Sequence, residues 1–156
     1  MESGAGIVLQ RLTQLIKSDD VVIGFTCGAF DLLHAGHILM LEEAKAQCDY
    51  LVVGLHTDPS TDRPEKNKPV QSLVERTIQL NAVKFVDQVV CYQTEAELME
   101  LLQVVMPDVR IVGDDYVGKE FTGKEWCFDN GVYIHYNSRQ HNFSSTELRT
   151  RIKKSK

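Results

Sequence analysis

Several things are scarce in this chain of 156 residues, and each scarcity removes a class of function. No apolar run approaches the roughly 20 residues needed to cross a bilayer, so membrane insertion is not expected. The opening Met1-Glu2-Ser3-Gly4 lacks the charged-then-apolar layout of a secretory leader. Positive charge is in deficit, with 17 Lys and Arg against 22 Asp and Glu and a net charge of −5. That balance excludes a basic sheath for nucleic-acid backbones, and a phosphorylated ligand would need a local cluster of cations. The four cysteines, Cys27, Cys48, Cys91 and Cys127, are far apart and form no C-x-x-C pair. Neither a disulfide framework nor a zinc site is expected from them, and reduced, mostly buried thiols fit a cytoplasmic protein. No G-x-G-x-x-G follows the first apolar run, which argues against a dinucleotide-dependent redox domain. Internal repeats, linkers and low-complexity tracts are missing as well.

What is present is an alternation of apolar β-branched runs and helical periodicities. Residues 6–17, GIVLQRLTQLIK, predict a leading helix, within an expected 1–20 leader to a core over 21–152. Strands are expected at 21–27 (VVIGFTC), 50–55 (YLVVGL), 88–92 (QVVCY), 109–113 (VRIVG) and 131–136 (GVYIHY). Helices are expected at 37–48, 73–86, 94–106 and 144–155, the third opening on a Thr94–Glu97 capping-box pattern. Runs this apolar mark strands buried on both faces. Together they predict one doubly wound, Rossmann-like α/β domain, a parallel five-stranded sheet with helices on both faces. Ligands of such sheets bind outside the carboxyl ends of the strands, so chemistry belongs in the loops starting near Gly28, His56, Gly113 and Asn137.

The loop after the first strand reads GAFDLLHAGH, residues 28–37. Gly28 and Gly36 let backbone approach a ligand closely. His34 and His37 stand three apart where a helix begins, so both rings can face one point. Free N–H groups and the helix dipole favour phosphate there, and two imidazoles can donate to it as negative charge builds. The bland alternative is a pair of histidines that cap or pack the helix. Arg139 offers a planar fork of donors, and Ser144, Ser145 and Thr146 offer hydroxyls and amides at the start of the last helix. Arg63, Lys66 and Lys68 supply charge in the loop after the second strand, where a solvated loop is the plain alternative.

These residues carry a family resemblance. GAFDLLHAGH resembles the HxGH signature of the nucleotidyltransferase superfamily in the FDLLHxGH form of its cytidylyltransferase branch. SRQHNFSSTELRTRI (138–152) is similar to the block that closes the family's nucleotide site, and ERTIQLNAVKFVDQVV (75–90) to a third family stretch. GDDYVG (113–118) resembles the GDDWxG of glycerol-3-phosphate cytidylyltransferases. The resemblance implies that His34 and His37 serve the triphosphate and that Lys66 or Lys68 binds phosphates. Arg139 and Ser144, Ser145 and Thr146 would close on the nucleotide, and Asp114 would shape the acceptor pocket. Ala29, Phe30, Gly36 and Arg76 would lie in the nucleotide-binding set. It gives Asp31, of the family's Phe-Asp pair, the task of orienting a histidine or holding Mg²⁺, the expected cofactor. A homodimer is also implied.

The expected reaction joins CTP to a small phosphorylated polyol, led by glycerol 3-phosphate. The acceptor's ionised phosphate attacks the α-phosphorus and pyrophosphate leaves, with no covalent intermediate. Three departures pull elsewhere. Ala29 replaces the Thr usual in the glycerol-3-phosphate enzymes, Lys84 stands where they often carry Arg, and EFTGKEWCFDNG (120–131) is longer. That last segment and the proline-rich loop before Arg76 resemble the heptose-phosphate adenylyltransferases. The alternatives are therefore an adenylyltransferase acting on a sugar phosphate, or a nucleotide-binding module without catalysis.

Overall fold

The structure is a computed structural model that describes residues 20–155. The expected leading helix lies outside the described residues. The described chain runs β1 (Ile23–Gly28), α1 (Ala35–Ala46), β2 (Tyr50–His56), α2 (Leu73–Asn81), β3 (Gln88–Tyr92) and α3 (Glu95–Val105). It continues through β4 (Val109–Gly113), α4 (Lys124–Asp129), β5 (Tyr133–Asn137) and α5 (Ser145–Lys154). All strand pairs are parallel, in the order β3-β2-β1-β4-β5. The predicted doubly wound architecture is what the chain adopts.

Alternation along each strand sends side chains to two cores. On one face Leu51, Val53, Leu55 and Ile111 pack with Leu41 and Ala44 of α1 and Leu80 of α2. On the other Phe25, Val52, Val90 and Tyr92 pack with Leu98, Leu101, Leu102 and Val105 of α3. The central strands are buried on both sides, which is why they read as unbroken apolar runs. Chain order reverses between β1 and β4, and this switch point opens a crevice at the carboxyl end of the sheet.

Two local readings change. The helix expected over 73–86 stops at Asn81, because Val83 and Val86 donate to Leu80 and Val83 in tight turns. The capping box expected at Thr94 is half formed. Thr94 Oγ1 accepts from the Glu97 amide at 3.1 Å, but Glu97 reaches past it to the Gln93 amide at 2.6 Å. Complete boxes are formed by Ser72 with Glu75 and by His34 with His37. Of the cysteines Cys127 is buried and Cys91 is exposed, against the expectation of mostly buried thiols. Burial pushes the Cys48 thiol up to about 11. No helix among the described residues is long and apolar enough to cross a membrane.

Candidate functional site

The crevice at the switch point is an open cavity of about 500 Å³. Its walls include Ala29, His34, Gly36 and His37 from the loop after β1, and Lys66 from the loop after β2. Asp114 from the loop after β4 and Arg139, Ser144 and Ser145 from the segment after β5 complete them. Nine of the residues singled out in the sequence therefore meet at one place, drawn from four separate loops.

The histidines both cap the helix and face the cavity. His34 is the N-cap of α1, and its Nδ1 accepts the Gly36 amide at 3.0 Å. His37 Nδ1 accepts the His34 amide at 3.2 Å. Each neutral ring thus carries its proton on Nε2. The rings stack with centroids 3.9 Å apart, and His34 Nε2 donates to Ser145 Oγ at 3.2 Å. Ser145 Oγ in turn donates to the Asp31 carbonyl at 3.3 Å, so the α5 N-terminus is tied to the β1 loop. A Cβ at Gly36 would stand 2.9 Å from both the His34 and the His141 rings. Only glycine lets these two imidazoles close over the start of α1.

Burial, reinforced by the neighbouring His34 and weakly opposed by Asp31, pushes the His37 imidazole down to about 4. The His34 imidazole is lowered as well, by burial and by His141 and Arg139. Both rings are neutral donors at neutral pH. A histidine depressed in the fold takes its proton more readily when unfolded. His37 therefore subtracts nothing above about pH 6.5, and it destabilises as pH falls from there toward about 4. At pH 4.5 that loss is expected to reach about 2 kcal/mol. Urea unfolding at pH 7 and 4.5 checks it: His37→Asn should lose less stability on acidification than the wild type, and an equal loss refutes the assignment.

Several expected ligand residues have other work. Both Asp31 carboxylate oxygens are engaged, Oδ1 by the Gln71 amide at 2.9 Å and Oδ2 by the Val70 amide at 2.8 Å. Arg149 adds an ion pair to Oδ2 at 2.9 Å. Burial acts to raise the Asp31 carboxyl, but these amides and Arg149 outweigh it and hold it below the usual range. Asp31 is a structural anchor between the β1 loop, the segment before α2, and α5. It does not fit a magnesium ligand, because both oxygens are engaged by protein donors and Asp31 is not part of the cavity wall. No group of three or more potential metal-binding side chains occurs among the described residues.

Arg76 is also corrected. It is 2% exposed and donates to four backbone carbonyls. Nη1 reaches Ala29 at 3.0 Å and His56 at 2.7 Å, Nη2 reaches Thr57 at 2.6 Å, and Nε reaches Gln71 at 3.2 Å. It clamps loops and touches no ligand space. Phe30 is buried beneath the site with its ring 5.5 Å from that of His37. Lys68 and Thr146 are exposed and lie outside the cavity wall. The Arg139 amide donates to Asp114 at 3.1 Å, bringing those two loops together.

Sequence reasoning missed His141, Asn137 and Arg110, all in the wall. Asn137 ends β5, is buried, and donates to the Met40 carbonyl at 3.0 Å. Arg110 carried a signal, since a charged residue inside VRIVG breaks a run otherwise suited to a fully buried strand.

Comparisons with known proteins agree with this geometry. A family model described as cytidylyltransferase-like matches residues 25–151. The bifunctional protein HldE of Helicobacter pylori is 35% identical over 147 residues, covering 94% of this chain and 31% of that protein. HldE of Rhodospirillum rubrum is 37% identical over 131 residues, covering 83% and 26%. The chain thus spans about a third or less of the length of these curated relatives. A lipopolysaccharide core biosynthesis protein from Thermoplasma volcanium matches in structure with a TM-score of 0.61 and 26% identity, over 80% of this chain and 99% of that one. Pantoate-beta-alanine ligase from Francisella tularensis shares the fold at a TM-score of 0.65 and 18% identity, over 97% of this chain and 76% of that one.

Proposed function

We propose that this chain, which belongs to the cytidylyltransferase-like family of HxGH nucleotidyltransferases, transfers a nucleoside monophosphate from ATP to a phosphorylated sugar of the heptose-phosphate type. The observation that carries the transfer is the stacked His34–His37 pair. Its Nδ1 atoms are held by backbone amides, so each Nε2 serves as a fixed donor beside the α5 N-terminus. The choice of ATP and a sugar phosphate rests on similarity to HldE chains over most of this one, and on the longer 120–131 segment. The expectation of CTP and glycerol 3-phosphate has only GDDYVG and the FDLLHxGH form behind it.

In the proposed reaction an oxygen of the acceptor phosphate bonds to the α-phosphorus. The bridging oxygen to the β-phosphorus leaves with its electron pair as pyrophosphate. The acceptor is already ionised, so no general base is required. The neutral His37 donates through Nε2 to an oxygen whose charge rises as the bond breaks, and it needs no reorganisation to do so. His34, whose Nε2 serves Ser145, stacks on it and fixes the start of α5 beside it. Ser144 and Ser145, beside His34 at the start of α5, and Arg139 bind phosphate, and Lys66 adds a releasable charge. Magnesium bound to the nucleotide would neutralise part of its phosphate charge.

Pyrophosphate release tests this, with Mg²⁺, ATP or CTP, and a panel of sugar 1-phosphates beside glycerol 3-phosphate. Release with ATP and a sugar phosphate is expected. Release with CTP and glycerol 3-phosphate alone would overturn the choice of substrates, and no release from any pair would overturn the transfer itself.

A further inference from the structure

The cavity has a second cationic feature on the opposite side of the sheet from α1. Arg110 lies in β4 directly across from Phe25 of β1, and its guanidinium is on the face covered by α3. The group sits between two rings, 5.3 Å from the centre of Phe25 and 5.6 Å from that of Phe121. Arg110 is 3% exposed, yet it lines the cavity. Nη2 makes one weak contact, to Cys27 Sγ at 3.5 Å, while Nε and Nη1 have no partner among the described residues. No carboxylate there comes within ion-pair distance. Glu95, another residue of the same wall, is already held by Arg63 at 3.2 Å and by the Thr122 hydroxyl at 2.7 Å. A Cβ at Gly123 would be only at ordinary contact distance, 3.4 Å, from Nη1.

A guanidinium stays charged at any physiological pH, and a buried charge without a counter-charge is costly. Two aromatic faces offset part of that cost but provide no acceptor for the fork of N–H groups. The triphosphate end of the cavity is built on the α1 side by the histidines, so the nucleotide's phosphates are accounted for elsewhere. We infer that Arg110 is the anchor for an oxyanion of the acceptor, a phosphate ester or a carboxylate, at the α3 end of the cavity. The inference rests on the nucleotidyl-transfer reading for the word acceptor, and on geometry alone for the anion site.

The test uses the wild type, Arg110→Met and Arg110→Lys, each saturated with α,β-methylene-ATP so that the triphosphate end is filled. Inorganic phosphate and, separately, acetate are then titrated by calorimetry and thermal shift. Wild type is expected to bind one of the two, a phosphate response pointing to a phosphate ester and an acetate response to a carboxylate. Arg110→Met should bind that anion at least tenfold more weakly, with affinity for the nucleotide analogue unchanged within twofold. Its ligand-free Tm should equal or exceed that of the wild type, because an unpaired buried charge has been removed. Should Arg110→Met lower the Tm, Arg110→Lys decides. Anion binding at least threefold weaker at wild-type Tm supports the site, and unchanged binding overturns it. Absence of any anion response in the wild type overturns it too. If the analogue itself does not bind, the nucleotidyl-transfer reading fails, while the anion titration without nucleotide still decides Arg110.

Discussion

Replacing His37 with alanine is expected to cut pyrophosphate release at least a hundredfold while the protein stays folded. The donor lost is a neutral Nε2–H, and its direction is fixed because Nδ1 is occupied by the His34 amide. Removing one such preorganised donor from a developing oxyanion costs about 3–4 kcal/mol of transition-state stabilisation. In the proposed site the ground-state triphosphate would keep its contacts to the α5 N-terminus and Arg139. The loss should therefore fall on kcat, with KM for the nucleotide moving much less. His34→Ala is expected to behave differently. Its Nε2 already serves Ser145, so its removal also loosens α5 and should raise KM along with lowering kcat. Near-normal turnover in His37→Ala would mean that the pair is only a helix cap.

That the histidines could be found from sequence, and Arg76 or Arg110 could not be read correctly, has a physical cause. His34 and His37 act through their position at the start of a helix that follows a buried strand, and both features leave periodic marks in the chain. The central strands β2, β1 and β4 were legible for the same reason, since burial on both faces demands unbroken apolar runs. Edge and short elements were less so. β5 begins two residues later than the apolar run, after Gly131 at φ +70° and Val132, whose side chain is buried. The six-residue α4 is too short to show a period, and its Gly123 start has no side-chain cap. Arg76 and Asp31 fall within stretches that resemble family motifs, but what decides their role is the partner. Their partners include backbone carbonyls and amides from loops 20 to 47 residues away, along with Arg149 for Asp31, and no single stretch of sequence marks those pairings. The resemblance put both among ligand-binding residues. The structure shows them holding the loops that line the cavity.

Arg76→Met should then have the largest effect on stability of any single change in the described core. Methionine fills much of the same volume but leaves the carbonyls of Ala29, His56, Thr57 and Gln71 without their donor. Each buried acceptor left unsatisfied costs on the order of 1–3 kcal/mol, and loop relaxation or entering water recovers part of it. A net loss of about 3–5 kcal/mol is expected, a large share of the 5–15 kcal/mol typical of a domain. Arg76→Lys should rescue little of it, because one ammonium cannot present the planar fork that reaches three loops at once. Urea unfolding supplies the measurement. A loss below about 1 kcal/mol for Arg76→Met would show that the loops hold their places without the clamp. Activity offers an independent check at low temperature, where the variant is still folded. There the loss of the clamp should raise the KM for both substrates, since Ala29 and His56 line the cavity from the loops that Arg76 joins.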